Sequence, residues 1–144
     1  MVVQQLSDDK IAEAINLSWD CFLEFIAPDY NNEGVESFKK FINDKKQINS
    51  LNFLAAIENN ELQGILAANF NTNNICLFFV KNIYHKRGIG KALFNYFLLN
   101  TNASRITVNS SPYAVGFYHK LGFKNIADEQ ICDGIRFTPM EYLR

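Results

Sequence analysis

Two glycines separated by one residue, Gly88 and Gly90, stand among the basic side chains Lys86, Arg87 and Lys91. They follow an unbroken apolar run, Ile75-Cys-Leu-Phe-Phe-Val80, after a short polar connection, and they open an amphipathic segment. The physical reading is a buried strand, a glycine-bearing loop and a helix N-terminus. The first N–H groups of a helix lack intrahelical partners, and its dipole places partial positive charge there. Phosphate suits such an end. Glycine lets an anionic group approach the main chain without a Cβ in the way. The chemistry on offer is recognition of a phosphate-bearing ligand, mostly by backbone.

Two common phosphate loops are excluded. A Walker A loop needs Gly-x-x-x-x-Gly-Lys-Ser/Thr, with the hydroxyl on magnesium. Here Gly90-Lys91 is followed by Ala92, and His85 stands where the first glycine would fall. A dinucleotide fingerprint needs Gly-x-Gly-x-x-Gly directly after a strand. Its third glycine would be Leu93, and Gly88 lies eight residues beyond Val80.

The run Val80-Lys-Asn-Ile-Tyr-His-Lys-Arg-Gly-Ile-Gly-Lys-Ala-Leu93 resembles the acetyl-CoA loop of the GCN5-related N-acetyltransferases, the GNAT superfamily. Their motif is Gln/Arg-x-x-Gly-x-Gly/Ala after a strand ending in Val. A second block, Ile106-Thr-Val-Asn-Ser-Ser-Pro-Tyr-Ala-Val-Gly-Phe-Tyr-His-Lys-Leu-Gly-Phe123, is similar to the family's strand and helix ending in Phe-Tyr-x-x-Leu-Gly-Phe. Both blocks stand in the family's order and spacing. His85 replaces the usual Gln or Arg, Asn82 a frequent proline, and Ser111 a frequent Asn.

The resemblance implies a mixed α/β (α+β) fold, with a central, largely antiparallel sheet splayed at the cofactor strand and helices on both faces. It implies one domain over residues 1–144. The activity would be acetyl-CoA-dependent N-acetylation of a primary amine, by direct attack in a ternary complex, with acetyl-CoA as cosubstrate and no metal. Backbone groups of Phe78, Phe79 and Val80 would hold the pantetheine arm. The motif positions His85, Lys86, Arg87, Gly88, Ile89, Gly90 and Lys91 would hold the pyrophosphate, and the Ser111 hydroxyl would donate to CoA. Tyr118 would be the general acid, since a thiolate leaves better when protonated as it departs. Some members carry a Glu on the cofactor strand, but Ile75–Val80 has no carboxylate. Glu24, Asp29 and Tyr30 are then candidates for a proton route through water. The missing carboxylate also keeps an alternative, a non-catalytic acyl-CoA sensor or interaction module on the same fold.

Length and composition bound these readings. A chain of 144 residues suffices for one domain with a core and is short for two. A 48% hydrophobic and 14% aromatic composition excludes disorder as the default. No apolar run approaches the roughly 20 residues of a membrane span. Met1-Val-Val-Gln-Gln-Leu6 lacks the basic start and apolar stretch of a signal peptide, so a cytoplasmic protein is expected. Cys21, Cys76 and Cys132 are odd in number and far apart, and read as reduced, buried thiols. His85 and His119 form no His-Glu-x-x-His, which leaves metal catalysis unsupported.

A net charge of −1 argues against a nucleic-acid partner. The charge is polarised: residues 1–36 carry eight acids against Lys10 alone, and the remainder carries 13 basic and 7 acidic residues. A polyanionic cofactor would meet the basic part, while the acidic segment could attract a cationic amine. The acceptor is open among polyamines, amino acids, aminoglycoside-like compounds and peptide N-termini. A homodimer is left open as well.

The elements that must position these residues alternate along the chain. Val2–Leu6 reads as a strand, with Ser7 or Asp8 able to cap the helix after it. Ile11, Ala14, Ile15, Ser18 and Phe22 recur at helical spacing, ending before Pro28. Val35, Phe38, Phe41 and Ile42 mark a second helix, and Leu51–Glu58 and Leu62–Phe70 antiparallel strands around Asn59-Asn60-Glu61. The spacing predicts a helix over 88–101 presenting Ile89, Leu93, Tyr96 and Phe97 to the sheet. A strand over 105–109, a helix over 112–121 and two closing strands near 123–130 and 135–142 follow. Ser111, Pro112 and Gly122 punctuate that last helix as cap, first residue and stop, and Tyr118 shares its inward face with Ala114, Phe117 and Leu121.

Overall fold

Residues 1–144 are all described by a computed structural model of the chain. The apolar runs become strands β1 (Val2–Gln5), β2 (Asn52–Glu58), β3 (Glu61–Asn69), β4 (Asn74–Val80) and β5 (Arg105–Ser110). Short strands β6 (Lys124–Asn125) and β7 (Gln130–Cys132) precede the long β8 (Ile135–Leu143). The helices are α1 (Ile11–Cys21), α2 (Asn32–Ile42), α3 (Lys45–Asn49), α4 (Ile89–Leu99) and α5 (Val115–Leu121).

The sheet order is β1-β2-β3-β4-β5-β8-β6, with β7 pairing β8, and every pairing is antiparallel except β4 with β5. Asn59 and Asn60 turn β2 into β3 with φ of 52° and 61°, the left-handed geometry that two-residue hairpins demand and asparagine tolerates. Successive side chains in a strand face opposite ways, so the sheet feeds two cores. On one face Phe53, Ile65 and Leu77 pack with Leu17 and Cys21 of α1 and Ile42 of α2. On the other, Leu54, Leu66 and Met140 pack with Leu93, Phe94 and Phe97 of α4 and Tyr118 of α5.

Some expectations need correcting. Phe94, rather than Tyr96, joins Ile89, Leu93 and Phe97 as the buried stripe of α4, and Tyr96 is only half-buried. The short helix α3 had no counterpart in the sequence reading; Asp44 caps it by accepting from Lys46 and Gln47 N–H at 3.1 and 3.2 Å. The helix begun at α1 does not end simply. It widens into a π-helical turn, Phe22–Ile26, then tightens into a 3-10 turn that takes Pro28 near its start. Cys21 is buried and Cys76 half-buried, but Cys132 is exposed, because it precedes the Asp133-Gly134 turn of the β7–β8 hairpin.

The feature that positions a site is the seam between β4 and β5. Only Asn74↔Thr107 and Ile75↔Val108 pair across it, after which β4 runs on to Val80 paired with β3 alone while β5 stays paired with β8. The strands part where β4 carries one extra residue. Its register with β3 passes from Ala68↔Ile75 to Ala67↔Leu77, leaving Cys76 unmatched as a bulge.

Candidate active site

The bulge at Cys76 decides which main-chain groups line the split. Beyond it, Lys81 N–H donates to Gln63 O at 2.9 Å and Phe79 stands opposite Ile65. With a period of two, Phe79 spends its N–H and C=O on β3, and Phe78 and Val80 turn theirs into the opening. Phe79 contributes its ring to the α1/α2 core instead, edge-on to Phe38 at 6.1 Å. The Val80 carbonyl is engaged: His85 Nε2 lies 2.7 Å from it, and Cys21 Sγ donates to it at 3.6 Å. Phe78 N–H, Phe78 C=O and Val80 N–H therefore face the split.

The loop after β4 presents a row of donors. His85 N–H closes a turn on Asn82 O at 3.0 Å, and the next main-chain bond returned is from Ala92 N–H to Gly88 O, also 3.0 Å. The amides of Lys86, Arg87, Gly88, Ile89, Gly90 and Lys91 donate to no group in the chain. Lys86 and Gly88 have φ of 63° and 76° with ordinary backbone between them, and such alternation of hand turns successive N–H groups to one side as an anion nest. Gly88 is the N-cap of α4, whose dipole adds to the nest. Arg87 lies over the Tyr84 ring at 5.7 Å, while Lys86 and Lys91 are exposed. Gly90 has a second reason to lack a side chain: a Cβ there would come within 2.7 Å of Phe117 Cζ.

Tyr118 is 5% exposed, packed against Phe78 at 6.0 Å, Phe117 at 5.4 Å and Phe123 at 5.3 Å. Burial among these rings pushes its pKa well above the ordinary tyrosine value and keeps the phenol protonated. Its hydroxyl makes no hydrogen bond within the chain, yet it is not sealed from solvent. A buried tyrosine hydroxyl usually finds a partner. Helix α5 holds it there, stopped by Gly122 at φ 106° with Phe123 N–H returning to Tyr118 O at 3.0 Å. Ser111 has the extended backbone of an N-cap, but its hydroxyl caps nothing.

Of the three residues considered for proton removal, Glu24 and Tyr30 have engaged side chains, whereas Asp29 is tied only through its main chain and keeps its carboxylate free. Glu24 accepts from Asn82 Nδ2 at 2.8 Å beside a cavity of about 320 Å³ also lined by Asp20, Cys21 and Lys81. The Asp29 carbonyl accepts from Arg136 Nη1 at 3.1 Å. Tyr30 donates to Arg136 O at 2.8 Å, and burial pushes its pKa up to about 12.

The sequence reads Trp19, Phe22 and Phe25 as a helix core stripe, part of which could wall an acceptor pocket, but it gives no sign of Cys21 or Tyr113 at the site. Cys21 touches the end of β4, and Phe25 stacks with both His85 and Tyr113 over the same region. Residues 29–37 are also tied to the β7–β8 hairpin through Tyr30, Arg136, Ser37 and a main-chain contact between Gly34 and Gly134. The paired glycines were the only signal in the sequence for that contact.

The structure is similar to solved acetyltransferases over nearly its whole length. A GCN5-related N-acetyltransferase from Rhodopseudomonas palustris superposes with a TM-score of 0.84 at 18% identity, covering 99% of this chain and 95% of that one. The PaiA N-acetyltransferase of Thermoplasma acidophilum, in complex with coenzyme A, gives 0.74 at 22% identity over the full length of both. An aminoglycoside 6′-N-acetyltransferase complexed with coenzyme A gives 0.65 at 14% identity, covering 99% and 97%. No curated protein matches the sequence. The model of the acetyltransferase (GNAT) domain matches residues 26–144, which include the split strand, the amide nest and Tyr118. On that match the chain belongs to the GNAT acetyltransferase family.

Proposed function

We propose that residues 1–144 form one acetyltransferase domain that moves an acetyl group from acetyl-CoA to a primary amine, by direct attack while both are bound. The observation that carries this reading is the split itself: main-chain groups of Phe78 and Val80 face an opening that leads to six unpaired amides. An extended, amide-bearing arm ending in a pyrophosphate matches that donor set. The two relatives solved with coenzyme A support it.

Acetyl-CoA supplies an acyl thioester, and the chain's own groups do the rest. The amides from Lys86 to Lys91 hold the pyrophosphate, with Lys86 and Lys91 adding diffuse positive charge. Phe78 and Val80 bond the pantetheine arm as a missing strand would, which fixes where the thioester lies. Tyr118, protonated because it is buried, gives its proton to the departing sulfur. β4 carries no carboxylate and Tyr30 is spent on Arg136 O, so the amine arrives neutral or sheds its proton through water to the carboxylate of Glu24 or Asp29. Holding amine and thioester together supplies much of the acceleration. Three unpaired cysteines suit the cytoplasm.

Thermal unfolding with acetyl-CoA, CoA, ATP and NAD tests the ligand. A species that binds only the folded state adds about 2.7 kcal/mol at 100 times its Kd. Stabilisation by the two CoA species alone is expected, and no shift with either sinks the proposal. Tyr118→Phe then separates enzyme from sensor. Its stabilisation by CoA should persist while thiol release with amines falls by about 10²-fold or more.

A further inference from the structure

The segment joining α1 to α2 crosses the open end of the split on the face away from α4 and α5. Its π-helical turn, Phe22–Ile26, widens the helix by one residue and re-aims the side chains after it. Such turns recur at functional positions. Phe22, the first residue of the turn, is 1% exposed in the core. Phe25 is half-buried at the edge of the same core.

There its ring lies between two others. His85 stacks on it at 4.9 Å and 29°, and Tyr113 at 5.0 Å and 20°. His85 follows β4 and is held on the Val80 carbonyl at 2.7 Å, whereas Tyr113 follows the end of β5. Three rings thus run from one lip of the split to the other, with Phe25 as the middle member. Phe25 rests on the edge of the α1/α2 core, whereas Tyr113 is 53% exposed, so the stack reaches from the core edge out to solvent. The neighbouring Glu24 is fixed to Asn82 at 2.8 Å and lines a separate cavity together with Asp20 and Lys81.

Resting on the acetyltransferase reading, we propose that Phe25 sets acceptor specificity. Its ring narrows the split on the face opposite the cofactor helices, admitting slim, unbranched primary amines and turning away broad ones.

The test compares wild type, Phe25→Ala and Phe25→Trp with butylamine, cyclohexylamine and adamantylamine, reading kcat/KM for each amine and KM for acetyl-CoA. Calorimetric titration of the same amines into CoA-loaded protein gives a second readout without turnover, and CoA-induced stabilisation shows that each variant folds. Wild type should prefer butylamine. Phe25→Ala should shift the adamantylamine-to-butylamine ratio upward by about tenfold or more, the scale on which apolar pockets discriminate. Its acetyl-CoA KM should stay within about twofold, a far smaller change than that discrimination. Phe25→Trp should shift the ratio the other way. An unchanged ratio, or a raised acetyl-CoA KM with all amines affected alike, overturns the assignment of Phe25 while the transferase reading stands. A wild type that neither binds CoA nor acetylates any of the three overturns both.

Discussion

Replacing Gly34 with alanine is expected to destabilise the protein even though it makes α2 a better helix. Gly34 is the third residue of α2, where alanine is favoured over glycine by up to about 1 kcal/mol. A Cβ there would overlap Gly134 O and lie 2.9 Å from Gly134 C, main-chain atoms held by the β7–β8 hairpin. Overpacking against atoms that cannot turn aside costs about 1–3 kcal/mol. Because the clash is with main-chain atoms, the upper part of that range, about 2–3 kcal/mol, applies, and the net loss is about 1–2 kcal/mol, or roughly 3–8 °C in Tm for a chain of this size. Two further variants separate the causes. Gly88→Ala meets nothing within 4 Å but has φ 76°, so it bears only the left-handed penalty of about 1 kcal/mol. Gly134→Ala has φ 78° and also overlaps Gly34 N, so it combines both at about 2–4 kcal/mol. Urea unfolding followed by circular dichroism ranks the three. A neutral or stabilising Gly34→Ala would falsify the close docking of α2 on the hairpin, because helix propensity alone would then decide the outcome.

Alkaline pH should weaken the fold. Burial raises the pKa of Cys21 from 9.0 to about 12, of Tyr30 from 10.0 to about 12, and of Tyr118 further still. Each is neutral when folded, so its contribution is fully present below about pH 9 and is lost as pH rises toward 12. Denaturant midpoints between pH 7.5 and 11.5 check this, and a flat profile contradicts it. Lys86→Ala combined with Lys91→Ala should weaken CoA binding by less than about tenfold, since exposed charges act weakly beside backbone donors. The CoA-induced Tm shift of the double variant should also depend less on salt; loss of all binding would show that side chains, not amides, hold the phosphates.

What the sequence made legible was what lies within a few residues of itself. The run Ile75–Val80 could only be a buried strand, and Gly88 and Gly122 fell where left-handed backbone was needed. Tyr118 was recoverable because one helix face and its stop fix its direction. Phe25 was only partly so: a helical period of 3.6 groups it with Trp19 and Phe22 as a core stripe that could wall a pocket, and the π-turn then breaks that stripe. The unmatched Cys76 was also hidden, because a bulge is a relation between two strands and β4 alone is simply apolar. For the same reason Phe79 was grouped with Phe78 and Val80 as a cofactor residue, although its main-chain groups serve β3.

In an intact sheet the distance between neighbouring strands is not adjustable, because hydrogen bonds fix it at about 4.8 Å. The parting of β4 from β5 frees that distance from the ladder. It is set instead by what wedges and ties the two halves: Phe94 against Phe123 and Tyr142 on one face, and Tyr30 and Gly34 against the hairpin on the other. Side-chain volume is a graded quantity. The width of the opening can therefore be retuned by ordinary substitutions far from any reacting atom, a freedom that a continuous sheet does not have.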